Sequence, residues 1–124
     1  MSENAKTTAA AESCTIIEAG VCGFSCRIRA RRTEARKVTL RIDETECQQI
    51  RQMAEKLDTI TLQQLFAPAT RNTVYLAAQQ AGCHASCVVP AAVLKTAEVA
   101  MEMALPRPVH IRFEDCVGSK DDPK

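Results

Sequence analysis

Cys83, His84 and Cys87 set two thiols and an imidazole within five residues, in the run "CHASCVVP" that ends at Pro90. Thiolate and imidazole are ligands that suit zinc or an iron–sulfur cluster. The spacing is Cys-x3-Cys with the histidine beside the first cysteine, whereas structural zinc motifs more often carry two Cys-x2-Cys pairs. A thiolate at Cys87 would also lie just before a helix opened by Pro90, where the partial positive charge lowers its pKa. The plainer alternative is a helix–helix connection that holds ordinary thiols. Cys22, in "AGVCGF", falls in a turn flanked by Gly20 and Gly23. Such a turn lets backbone amides approach a ligand closely, and the same glycines serve equally well to shape a bare turn.

The remaining cysteines give weaker signals. Cys47 lies on the apolar stripe of a helix near its start and reads alone as core, although side-by-side helix packing would bring it to the loop at 83–87. Cys26 has the parity of an inward strand position and reads as core. Cys14 and Cys116, towards the two ends, carry no assigned chemistry.

A second constellation is electrostatic. From Arg27 to Arg41 there are seven basic residues against one acid, Glu34. Strand parity puts Arg27, Arg29, Arg31, Lys37 and Arg41 on the face away from the core, with Arg112 and His110 expected to join them. Such a face suits nucleic acid or an acidic partner. No aromatic side chain interleaves with the arginines, so the stacking platform of single-strand binders is missing, and a solvated face is the favoured reading. Lys95, Glu98 and Glu102 line one helical stripe and read as solvated charge. No Ser-His-Asp order, phosphate-binding glycine loop or nucleotide fingerprint is present.

These residues must be held by a small sheet and several helices. In "FSCRIRAR", Phe24, Cys26, Ile28 and Ala30 alternate with polar residues, and "KVTLRID" repeats the pattern with Val38, Leu40 and Ile42. Period-two alternation is the mark of a half-buried strand, and the short "RTEA" connection predicts an antiparallel hairpin. "VHIRFE" predicts a further strand with Val109, Ile111 and Phe113 inward, and "CTIIEA" a fourth of unclear parity. Asp43 and Glu46 suggest a capping box that opens a helix through Cys47, Ile50, Met53, Ala54 and Leu57. A short helix at 61–67 stops at Pro68. Asn72 opens the next, which ends at Gly82, and Pro90 begins a nearly all-apolar last helix running to about Leu105. The expectation is an α+β fold, a small antiparallel sheet of three or four strands with helices packed on one face.

Composition sets the outer bounds. The chain of 124 residues suits one domain, drawn here as 13–116 between disordered tails at 1–12 and 117–124. No apolar run reaches the roughly 18 to 20 residues needed to span a bilayer, so no membrane partner is expected. The start, "MSENAKTTAAAES", has no basic opening or apolar core of a secretory signal, which places the chain by default in the cytoplasm, where thiols stay reduced. Seven cysteines, an odd number, argue against a closed disulfide framework and for metal binding or thiol chemistry.

From about Ile16 to Phe113 the sequence resembles a family of short uncharacterised proteins found mainly in anaerobic prokaryotes. The match is carried by "AGVCGF", Cys47 at a helix start, "CHASCVVPAAVLKTAEVA" and "ALP" at 104–106. The resemblance implies a shared fold and a shared site, with Cys22, Cys47, His84 and Cys87 on the recurring positions. Cys83 is displaced by one residue from the family's additional cysteine, and Val88 replaces the proline of its usual Cys-Pro-Val-Pro. Three thiols and an imidazole make a tetrahedral zinc set or a set for an iron–sulfur cluster, with the balance slightly towards iron–sulfur. The expected function is metal or cluster binding, serving electron transfer or cluster handling with a protein partner. A binding module that uses the basic face and a thiol-based redox enzyme built on Cys87 are the alternatives.

Overall fold

In the computed structural model, which describes residues 11–116, four strands form one antiparallel sheet in the order β1-β2-β3-β4. β1 (Glu12–Glu18) turns through a 3-10 segment at Gly20–Cys22 into β2 (Ser25–Glu34), which returns as β3 (Lys37–Asp43). Then follow α1 (Gln48–Glu55), the short edge strand β4 (Thr59–Thr61), α2 (Leu62–Leu65) and a second 3-10 turn at Ala69–Arg71. Two helices complete the chain, α3 (Thr73–Gln80) and α4 (Val89–Ala100). The α+β class and the single helix-covered face are as the sequence predicts. Of the expected tails at 1–12 and 117–124, residues 1–10 and 117–124 lie outside the described residues, and β1 opens already at Glu12.

Alternation does the sorting. Cys26, Ile28 and Ala30 of β2 and Val38 and Leu40 of β3 are buried on the helix side. They meet Ile50 and Met53 of α1, Val74, Ala77 and Ala78 of α3, and Val93, Ala97 and Ala100 of α4. Each fully buried Val, Ile or Met side chain contributes about 1.5–3 kcal/mol, so this aliphatic set holds the fold without any aromatic core. α4 buries the most residues of any helix, and its alanines let it lie close over β1 and β2. Thr96, fully buried, accommodates its hydroxyl by bonding the Ala92 carbonyl and the Thr15 hydroxyl of β1, each at 2.7 Å.

Asn72 ties the lower half together. Its side-chain oxygen accepts from the Val74 N–H at 2.9 Å and caps α3. Its amide nitrogen donates to the carbonyls of Gln64, Leu65 and Ala67, which end α2. At 2% exposure, the side chain takes over bonds that water would otherwise make.

Four sequence expectations change. The segment Val109–Phe113 forms no strand, because alternation needs an edge to pair with, and here Pro106 and Pro108 lead the chain out to solvent. Arg112 and His110 therefore leave the basic face. The helix expected from Asp43 begins later, since β3 continues through Asp43 and Glu44 takes a left-handed φ of 57°, which leaves Cys47 as N-cap of α1. α4 ends at Ala100, not near Leu105. Glu102 takes φ 64°, its N–H bonds the Val99 carbonyl, and the Met103 N–H bonds the Glu98 carbonyl, a Schellman stop without glycine. Thr59–Thr61, an unexpected strand, pairs with Lys37–Thr39 and forms one sheet edge.

Candidate metal centre

The two loops that carry the sequence signals converge at one end of the sheet. Gly20 and Gly23 both adopt left-handed φ, 75° and 76°, and the Gly23 N–H bonds the Gly20 carbonyl at 2.9 Å. This tight turn swings Cys22 back towards the start of β2. Gly82, with φ 79°, ends α3 in a Schellman motif whose second bond comes from the Cys83 N–H to Ala78. The chain then makes a second turn, closed by the Cys87 N–H on the His84 carbonyl at 3.0 Å, before α4 starts. Cys47 stands at the N-terminus of α1, with its backbone N–H on the Thr45 hydroxyl and its thiol on Gln49 Oε1 at 3.5 Å.

Four thiols, those of Cys22, Cys26, Cys47 and Cys87, line a single cavity of about 30 Å³. Its other walls are largely apolar and include Ile17, Phe24, Ile50 and Val89. All seven cysteines are free thiols, and exposure around the cavity is graded: Cys22 is exposed, Cys47 and Cys87 are partly buried, and Cys26 is buried. Among the described residues, no group of three or more Cys, His, Asp or Glu side chains is already drawn together at metal-ligand geometry.

The thiols sense each other. Burial pushes Cys26 up to about 11, and negative charge on Cys87, Cys47 and Asp43 adds to the rise. Cys83 is raised by burial and then by Cys87 and Cys47. Cys87 is also raised, because burial and the charges of Cys47 and Cys22 outweigh the stabilising N–H of Val89. The helix N-terminus does act to lower the Cys87 pKa, through the Val89 N–H, but the net shift is upward. Desolvation wins there, and a nucleophilic thiolate at neutral pH in the metal-free protein is disfavoured.

The structure thus brings Cys22, Cys47 and Cys87 to one cavity, with Cys83 near enough to interact electrostatically with Cys47 and Cys87. His84 is exposed and does not line the cavity. Cys26 takes a place at the cavity although sequence parity marks it only as core. One signal points to it: Cys22 and Cys26 repeat the Cys-x3-Cys spacing of Cys83 and Cys87. Four soft thiols line the cavity in largely apolar surroundings, beside the hydroxyl residues Ser25 and Thr45, and the thiols are a set that fits a thiophilic metal or an iron–sulfur cluster.

The basic face is less available than its composition suggests. Arg27, Arg29, Arg31, Lys37 and Arg41 do share the open side of the sheet, with Arg29 directly opposite Arg41. However, Arg27 pairs with Glu44 at 3.1 Å, Arg41 with Asp43 at 3.4 Å and Lys37 with Glu34 at 3.7 Å. Arg29 Nε is buried without a hydrogen-bond partner. Among the described residues, no helix is long and apolar enough to cross a membrane.

The chain belongs to a family of unknown function, DUF6951, which matches residues 13–113. No curated protein and no solved structure matches it.

Proposed function

We propose that this member of a family of unknown function binds an iron–sulfur cluster through Cys22, Cys26, Cys47 and Cys87, with Cys83 as a neighbouring thiol. The observation that carries the reading is the gathering of four thiols from the β1–β2 turn, β2, the α1 N-terminus and the α4 approach around one apolar-walled cavity. When bound, a cluster supplies one-electron chemistry or a transferable iron–sulfur unit. The chain's own part is to hold the thiolates, exclude water with Ile17, Ile50 and Val89, and donate the Val89 N–H to the Cys87 sulfur. The exposed turn at Gly20–Cys22 is the wall that can yield to a cluster. A recurring cysteine pattern in proteins mainly of anaerobic prokaryotes, a reducing compartment and a protein partner for electron or cluster transfer belong to the same proposal.

Zinc is the second reading, favoured by the cavity volume of about 30 Å³, which suits a single ion better than a cluster. Protein purified without oxygen is to be assayed for iron, zinc and acid-labile sulfide per chain, with a visible spectrum. Iron and sulfide with absorbance that bleaches on reduction, lost in Cys22→Ser, Cys47→Ser and Cys87→Ser, support the cluster. A colourless protein with about one zinc per chain moves the conclusion to a structural ion, consistent with tetrahedral thiolate sites. The absence of both metals removes the proposal.

A further inference from the structure

β1 is a sheet edge of seven residues, and among the described residues no strand pairs with its outer side. Its ladder identifies which groups are left over. The Arg32 N–H bonds the Ala11 carbonyl, and the Ala19 N–H bonds the Phe24 carbonyl, so odd-numbered residues face β2. In an antiparallel ladder the bonding side alternates along the strand. The N–H and C=O groups of Glu12, Cys14, Ile16 and Glu18 therefore point to the open side, where no backbone hydrogen bond reaches them among the described residues.

The same chain carries an unmatched strand sequence. Val109, Ile111 and Phe113 alternate with His110, Arg112 and Glu114, and the three apolar side chains are 61%, 74% and 98% exposed. Among the described residues, no backbone hydrogen bond joins residues 108–114 to another part of the chain. The segment's own beginning stands across from β1, separated by a groove of about 500 Å³ lined by Thr15, Ile17, Ala92, Thr96, Leu105 and Val109 among others. Glu102, at the root of the segment, is held near Arg32 at 3.5 Å.

We propose that Val109–Phe113 of one copy adds as a strand to the open edge of β1 in a second copy, so that two chains exchange arms reciprocally. Charge decides between this occupant and a second β1. Antiparallel pairing of β1 with itself about Thr15 sets Glu12 opposite Glu18, a like-charge pair that destabilises a ladder. The arm instead brings His110 and Arg112 to the side that carries Glu12 and Glu18, while Val109, Ile111 and Phe113 turn towards Thr15, Ile17 and the flank of α4. Exchange covers two liabilities at once, a long open edge and a row of exposed apolar side chains. It rests on a different part of the molecule from the thiol cavity.

The test is the mass of the full chain under reducing conditions, by light scattering across micromolar concentrations. The expected value is twice 13.6 kDa. Ile111→Pro removes a strand N–H from an exposed segment and should give folded monomers that keep the helical circular dichroism and a cooperative, concentration-independent thermal transition. Ile16→Pro removes an edge N–H that β2 does not use and should do the same. Mixing the two variants should restore dimers, because one intact arm then meets one intact edge. A monomer at every concentration overturns the proposal, as does a dimer that Ile111→Pro leaves intact. Dissociation by Ile16→Pro alone overturns it too, in favour of edge-to-edge pairing.

Discussion

Asn72 and the thiol cavity both place polar groups inside the molecule, and they treat them in opposite ways. Around Asn72 every side-chain group has a protein partner: one bond received from Val74 and three donated to the carbonyls at 64, 65 and 67. At the cavity, Cys26, Cys83 and Cys87 have pKa values raised by burial and by one another, and a single backbone N–H works in favour of the charged form. The first arrangement is complete as a structural device. The second gathers thiols whose ionised forms are unfavourable. Buried polar groups that complete each other stabilise a fold, whereas buried thiols whose ionised forms would repel each other stay neutral.

The comparison can be broken first at Asn72. Asn72→Ala removes the α3 cap, about 1 kcal/mol, and takes the amide donor from the buried Leu65 carbonyl and the part-buried Ala67 carbonyl, about 1–3 kcal/mol more. A large drop in the urea midpoint is expected, with the slope unchanged, and a change below about 0.5 kcal/mol would mean that water takes over the bonds. The next effect concerns pH. Cys26 has a folded pKa near 11 against an ordinary value of 9.0, so the folded state favours the neutral thiol. Its stabilising contribution is fully present below pH 9 and disappears as pH rises towards 11. The metal-free protein should therefore unfold at lower urea at pH 10.5 than at pH 8, and Cys26→Ala should flatten that difference while lowering both midpoints. Cys83 and Cys87 act in the same direction. The smallest effect is expected for His84→Ala, which should leave stability within about 0.5 kcal/mol, as surface substitutions do, and should leave metal content unchanged. Loss of metal in that variant would restore the imidazole to the ligand set.

What the sequence revealed follows from what local pattern can encode. Period-two alternation placed Cys26, Ile28 and Ala30 on one face of β2, and they are buried there. Asn72 and Gly82 marked the two ends of α3 because their chemistry is local, a cap and a left-handed stop. β1 was harder to orient because Ile16 and Ile17 are adjacent: Ile17 faces the helices, while Ile16 is 60% exposed on the other side. Alternation in "VHIRFE" describes residues suited to a strand, but pairing belongs to the edge they meet, which no window of sequence contains. The cavity was legible in its loops and not in its full lining. Parity assigns Cys26 a face but not an end of the sheet, and only the packing of α1 and the α4 approach over that end makes it a neighbour of Cys22 and Cys87. For His84, proximity in sequence gave no information about direction, and the turn closed on its carbonyl leaves the ring in solvent.

The graded exposure around the cavity also has a consequence in time. Cys22 sits on the outside turn beside the fully exposed Val21, and Cys26 lies behind it on the sheet. Of the four cavity thiols, a reagent reaching the metal-free protein meets Cys22 first, then Cys47 and Cys87, and Cys26 only after the end of the sheet opens. Were an ion bound there as proposed, its exchange with a chelator would be paced by the exposed turn at Gly20–Cys22 and not by unfolding of the core.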